Sequence, residues 1–317
     1  MARKVSRVQK ENNTGLASDP RCLIFLQTML NHTILYNEPM SRHTSWRIGG
    51  PADRFYQPAN LEDLQSFLKT LPASEPLTWL GLGSNMLVRD AGIRGTVIAT
   101  QACLMELNQL DDITVRAEAG VACGQLARFC ARLGLAGAEF WAGIPGTVGG
   151  ALAMNAGCFG SETWDKVAAT ESMDRTGKRI MRKPEEYKIG YRSVEGPINE
   201  WFVAGYFCLQ RGEKEKSLEL IRNLLKSRAE TQPTGEPSCG SVFRNPPGGY
   251  AAKLIEACGL KGTHMGGAIV SEKHANFILN KGDATAADVE NLIAYIVKKV
   301  YEKYGIVLIP EVHVVGE

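Results

Sequence analysis

The sequence predicts an α+β protein of more than one domain, and three observations carry that reading. Its 317 residues exceed the roughly 100–200 of an ordinary domain. Short apolar runs of strand length are interspersed with amphipathic stretches at helical spacing, with no internal repeat. Glycine occurs 33 times, where average usage gives roughly 22, yet 44% of the residues are hydrophobic. Collagen and disordered low-complexity chains are thereby excluded. The surplus glycine belongs where a folded backbone needs positive φ or approaches something closely.

In chain order, Met1–Gly15 carries Arg3, Lys4, Arg7 and Lys10 with no apolar run behind them. It reads as a solvated tail rather than a secretory leader, and residues 1–39 as an N-terminal tail and helix. Asn60 caps a helix with Leu61, Leu64, Leu68 and Leu71 on one face and Glu62 and Asp63 in its first turn. Leu77–Leu80, Met86–Val88 and Thr96–Ala99 are strand-like. Ile113–Ala119 alternates and leads into a helix from Val121 to Leu133, which Gly134 stops. Val167–Met173 and Arg179–Met181 form a hairpin about Arg175–Lys178. Trp201–Leu209 is a strand, and a helix begins near Glu213, followed by a loop over Thr231–Gly240. Val289, Leu292, Ile293, Ile296, Val297, Val300 and Tyr304 define the clearest helix, with Lys298, Lys299 and Lys303 at its negative end and Gly305 beyond. A domain boundary is expected at 211/212.

Charge excludes several classes. Thirty-six Lys and Arg against 34 Asp and Glu leave +2, too balanced for phosphate-backbone binding. No run of eighteen apolar residues is present to form a membrane span. The eight cysteines form no CxxC and the five histidines no HxxxH. The cysteines suggest reduced thiols of a cytoplasmic protein, and no metal site is expected.

The glycine is concentrated. Gly134–Gly160 holds eight with Glu139 as the sole charge, and Gly235–Gly267 holds eight more. A smaller focus, Gly81-Leu82-Gly83-Ser84-Asn85, follows a strand and suits a backbone N–H nest for phosphate, or simply a tight turn. It is not GxGxxG, which disfavours a dinucleotide fold of the Rossmann kind. The large uncharged window fits a backbone lying against a nucleotide-sized ligand, and equally a packing seam.

A series of motifs occurs in order: His43–Asp53 (HTSWRIGGPAD), Gly81–Asn85, Gly143–Gly150 (GIPGTVGG), Met154–Gly157 (MNAG), Gly190–Arg192, Gly240–Pro246 (GSVFRNP), Leu254–Ile255, Gly259–Gly262, Val270–Phe277 and Pro310–Val312. The series resembles the UDP-N-acetylenolpyruvoylglucosamine reductase family of bacterial peptidoglycan synthesis, from about residue 40 to the C-terminus. The short Arg192–Ser241 spacing is similar to its compact subtype. The resemblance implies a two-part FAD-binding domain of the vanillyl-alcohol-oxidase/PCMH type over 40–211. A C-terminal α+β substrate domain would occupy 212–317, its last strand carrying Glu311 back to the active site. It implies non-covalent FAD, with NADPH and the enolpyruvyl ether of UDP-N-acetylglucosamine as co-substrates, and no nucleic acid, membrane or obligate protein partner.

By the same resemblance, Ser241 donates the proton while Arg192 and Glu311 stabilise the charge developing on the substrate carboxylate. Tyr191, Arg228, Gln232 and Asn245 contact substrate. Arg47, Gly49, Gly81, Gly83, Ser84, Asn85, Gly143, Pro145, Gly146, Thr147, Gly149, Gly150, Met154, Asn155 and Gly157 bind the cofactor. The residue types suit the chemistry. Hydride addition to the alkene leaves an enolate, which a bidentate guanidinium and a protonated carboxyl can stabilise. Three departures stand out: Ser193 follows Arg192 directly where the family has a spacer, Arg244 replaces a commoner lysine, and Cys158-Phe159 replaces alanine and tyrosine.

Overall fold

A computed structural model describes residues 32–317, so most of the expected N-terminal tail and helix over 1–39 lies outside the described residues, while its end, Thr33–Pro39, is a strand of the first sheet rather than tail or helix. The first part holds two sheets. Strands β1 (Thr33–Pro39), β2 (Pro51–Gln57), β3 (Leu77–Leu80) and β5 (Ile93–Ala99) form one in the order β1-β2-β5-β3, with β4 (Met86–Val88) outside it. β1 runs antiparallel to β2, whereas β2–β5 and β3–β5 are parallel. Strands β6 (Leu107–Gln109), β7 (Thr114–Glu118), β8 (Val167–Asp174), β9 (Arg179–Arg182) and β10 (Glu200–Cys208) form the second, an antiparallel sheet ordered β9-β8-β10-β7-β6.

Helix α1 (Leu61–Thr70) is capped by the Asn60 side chain, which accepts from the Asp63 N–H. Its buried Leu61, Leu64 and Leu68 join Tyr56 and Ile98 of the first sheet and Met173 and Val203 of the second in one cluster. The two sheets are therefore joined through a shared core. Helices α2 (Cys123–Arg132) and α3 (Val148–Met154) cover the second sheet.

Helix α4 (Lys214–Thr231) corrects the expected boundary at 211/212. Its Ile221, with Leu218 and Leu225, packs into the core of α2, α3 and the second sheet. Its apolar face is used there, so by packing it belongs to the first part. The C-terminal core begins at Cys239 and gathers α5 (Ala251–Ala257), α6 (Ala286–Tyr304) and a small sheet of β11 (His264–Met265), β12 (Ala268–Val270) and β13 (Ile278–Asn280). That core also takes Trp46, Ile48 and Leu87 from the first part. The last strand, β14 (His313–Val315), pairs in parallel with β4, His313 opposite Met86.

The large glycine window contains α3. Thr147 caps this helix by accepting from the Gly150 N–H, and Gly149 lies so close to β7 that an added Cβ would stand 2.9 Å from Ala119 Cβ. Packing overrides the low helix propensity of Gly149-Gly150.

Candidate active site

Two clefts border the glycine-rich segments. The first, about 290 Å³, lies between the two sheets, lined by Trp79 and Gly81 at the end of β3, Ala119, Gly149, Gly150 and Ala153 of α3, and Trp201 of β10. Trp79 stacks on Trp201 with centroids 5.2 Å apart. The second, about 410 Å³, is lined by Ser84, Pro145, Arg228, Gln232, Cys239 and Gly240 among others.

The residues present fit an FAD there. The buried Trp79 Nε1 has no acceptor among the described residues. No backbone N–H from Gly81 to Asn85 finds an acceptor among the described residues, leaving a run of donors of the kind that binds phosphate. Gly83 is left-handed (φ +65°) and an added Cβ would collide with the His43 carbonyl, so glycine is required for this loop to lie on the His43–Arg47 segment. An added Cβ at Gly150 would meet only Thr147 Oγ1, at 3.8 Å, so that position opens to the cleft.

Gly150 opens to the cleft, whereas Gly149 and Gly143 form a seam, an added Cβ at Gly143 colliding with Phe159 and standing 2.8 Å from Cys158 Sγ; at the neighbouring loop, an added Cβ at Gly81 would collide with Thr147 Oγ1. Gly146 accepts from the Cys123 N–H with its carbonyl. Arg47 is exposed and left-handed (φ +57°), on the segment whose Ser45 N–H donates to Gly83. Gly49 sits in close packing against Val88 and Met40.

The expected catalytic trio is brought together by three contacts across the chain. Phe243 and Pro310 form an antiparallel bridge, and the Glu311 N–H donates to the Val242 carbonyl at 2.7 Å, placing Glu311 beside the segment that carries Ser241. Asn85 Nδ2 donates to the Glu311 carbonyl at 3.1 Å and to Met154 Sδ at 3.1 Å. Arg192 Nε lies 2.9 Å from Glu311 Oε1 as an ion pair, although its N–H points off the line of a good hydrogen bond. Ser241 follows Gly240, whose φ of +81° sets up the turn. Its hydroxyl bonds no group among the described residues. Asn276, buried at 4% exposure, receives the Phe243 N–H on Oδ1 and returns Nδ2 to the Phe243 carbonyl, fixing the Ser241 segment.

Arg192 stands at the second position of a two-residue turn, between strands Lys188–Gly190 and Ser193–Glu195, with φ +53°. The missing spacer before Ser193 is thus explained: Ser193 pairs directly with Gly190. A left-handed arginine costs about 1–2 kcal/mol. Its guanidinium donates to Gly157 O at 2.8 Å, close to where a Cβ on Gly157 would stand. Tyr191 is exposed, with Arg192 over its ring at 5.4 Å.

Burial pushes the Glu311 carboxyl above the usual range, with Arg192 and Arg244 pulling the other way. Burial also raises the Cys158 thiol, against the nearby Arg228 and Arg192, and lowers Arg228. Arg228 Nε donates to Gln232 Oε1 at 2.9 Å on the rim of the second cleft. Asn245 stands apart from the trio: it is exposed, and its Oδ1 accepts from the Ala251 N–H at the start of α5. Sequence reasoning singled out neither Asn276 nor the role of Arg244, whose Nη2 donates to the Arg192 carbonyl at 3.2 Å. Both lie inside recognised motifs, so their position was legible and their direction was not.

A two-sheet FAD-binding fold closed by an α+β domain, with an arginine–glutamate pair at the junction, defines a flavin-dependent oxidoreductase. The comparisons narrow the class. Residues 52–181 match the family model for an FAD binding domain, and residues 232–315 that for the UDP-N-acetylenolpyruvoylglucosamine reductase C-terminal domain. The enzyme of that name from Legionella pneumophila (strain Lens) is 58% identical over 286 residues, covering 90% of this chain and 93% of the relative. That from Coxiella burnetii (strain Dugway 5J108-111) is 54% identical over 308 residues, 91% and 98% of the two chains. The solved structure of the reductase from Thermus caldophilus superposes with a TM-score of 0.74 at 32% identity, over 90% of this chain and 99% of that one. The chain belongs to the UDP-N-acetylenolpyruvoylglucosamine reductase family. It is an oxidoreductase of peptidoglycan synthesis with an FAD-binding domain.

Proposed function

We propose that this chain reduces the enolpyruvyl ether of UDP-N-acetylglucosamine to UDP-N-acetylmuramate, consuming NADPH and one proton and releasing NADP+. Gly81–Asn85 and the first cleft would hold FAD without a covalent link, and the bound flavin would relay hydride from NADPH. The observation that supports the reading most directly is the Arg192–Glu311 pair beside the Ser241 segment. Arg192 holds the substrate carboxylate and meets the charge that grows there as the alkene carbon becomes an enolate. Glu311, its proton favoured by burial, donates to the same oxygens. Ser241 passes its hydroxyl proton to the substrate carbon. Arg228 and Gln232, on the rim of the second cleft, contact the sugar nucleotide, and Tyr191 covers it from the turn. A cytoplasmic location belongs to the same reading, since both nucleotides are made there.

The Ser241→Ala variant tests it. Flavin bleaching by NADPH should continue at the normal rate, while turnover of the sugar nucleotide falls by about 10²-fold or more. Turnover at the normal rate would remove Ser241 from the chemistry.

A further inference from the structure

The hairpin Lys188–Glu195 that presents Arg192 is mostly exposed and has little core of its own. Two-stranded hairpins are marginal in water, so its orientation depends on what ties it down. Glu311 and Arg244 hold Arg192 from the C-terminal part, and from the first part several ties come from Asn155. This residue is 2% exposed and left-handed, with φ 47° and ψ 52°. Its Nδ2 donates to Gly190 O, at the foot of the Arg192 turn, at 3.1 Å and to Glu162 Oε2 at 2.7 Å. Its Oδ1 accepts from the Trp164 N–H at 3.1 Å. Its backbone carbonyl faces Arg192 Nη1 at 3.5 Å, next to the Gly157 carbonyl that receives Nη2.

Both amide hydrogens and the amide oxygen are thus engaged inside the protein, leaving the side chain no hydrogen to offer a flavin. We propose that Asn155 is a positioning residue for Arg192 rather than a cofactor contact, setting where the guanidinium meets the substrate carboxylate. The inference rests on the role proposed above for Arg192. The left-handed backbone explains the residue type: asparagine and glycine tolerate it, and only asparagine also supplies two donors and an acceptor.

The test uses the FAD-loaded enzyme. Asn155→Gly keeps the backbone and loses all three side-chain bonds. Asn155→Asp keeps the shape and the acceptor for Trp164 but turns an oxygen toward Gly190 O and the Glu162 carboxylate. Adding Glu162→Gln restores a donor opposite that oxygen. FAD content and the rate of flavin bleaching by NADPH should stay within about twofold of the unaltered enzyme. Reoxidation by the sugar nucleotide should slow by about tenfold or more in both single variants, in kcat more than in KM, since a misplacement near 1 Å is enough. The Asp/Gln pair should recover part of that loss. Should the glycine variant not fold, the Asp and Asp/Gln pair carries the test. Normal reoxidation in the Asn155 variants, with Arg192→Lys impaired, overturns the proposal while sparing the role of Arg192. Loss of FAD from folded variants overturns it in favour of a cofactor contact. Normal turnover in Arg192→Lys overturns the role of Arg192 itself.

Discussion

Glu311 has two tasks that pull its proton in opposite directions. Burial favours the neutral acid, whereas Arg192 and Arg244 favour the carboxylate, and burial prevails. The fold therefore binds this proton more tightly than the unfolded chain does. By linkage, the group's contribution to stability is fully present at acid pH and is lost as pH rises through its folded value, above the usual carboxylate range. Replacing Glu311 by Gln removes that slope. Thermal melts from acid to neutral pH should show the unaltered protein losing stability relative to Glu311→Gln as pH rises; parallel curves would mean that the carboxyl titrates normally. Cys158 makes the opposite case. Its thiol is held up by burial despite two nearby arginines, so it stays protonated at neutral pH and is a poor nucleophile. Cys158→Ala should leave turnover within about twofold, consistent with a small apolar residue packed on Gly143. At this scale residue types were legible in the sequence and directions were not. The motif containing Asn155 suggested a cofactor contact, and only the fold shows its amide turned inward.

Elements were legible where local chemistry dictates them. Helix α6 has its capping box at Thr285 and Asp288, an unbroken apolar stripe, and Gly305 at φ +67°. Thr285→Ala should cost about 1 kcal/mol in chemical denaturation with FAD content unchanged. Helix α3 was not legible, because its first turn contains Gly149-Gly150 and it owes its form to N–H groups of Val148 and Gly149 that donate to Val121 and Ala119. The pairing of β14 with β4 was equally hidden. Some 220 residues separate the partners, and nothing in either triplet announces the other. The resemblance implied that the last strand carries Glu311, whereas β14 begins two residues beyond it, and local pattern alone announced neither. The Gly81–Asn85 loop lies between these cases. Gly83→Ala, with positive φ and the His43 carbonyl in the way, should yield protein depleted of FAD, measured by flavin absorbance per chain.

Across the whole molecule, the proposed active site lies where separate cores meet, and its geometry depends on their remaining docked. Trp46 is a principal link. It comes from the first part, yet it is fully buried in the C-terminal core. Its Nε1 donates to the Ile278 carbonyl at 2.7 Å, and its own carbonyl receives Asn280 Nδ2 at 2.9 Å. The loop bearing Trp46 also touches the proposed phosphate nest, since Ser45 N–H donates to Gly83 O. Cofactor binding and domain docking therefore share one segment. Trp46→Phe keeps most of the apolar volume but leaves the Ile278 carbonyl without its donor, a loss of roughly 1–3 kcal/mol. Trp46→Ala adds a cavity and should cost about 3–5 kcal/mol. If docking couples the two parts, the unaltered protein melts in one transition, and Trp46→Ala separates it into two, the C-terminal part first. Added FAD should then raise the transition of the first part more than that of the second. A single transition for Trp46→Ala, merely shifted downward, would assign the coupling to the β4–β14 pairing and the Phe243–Pro310 bridge instead.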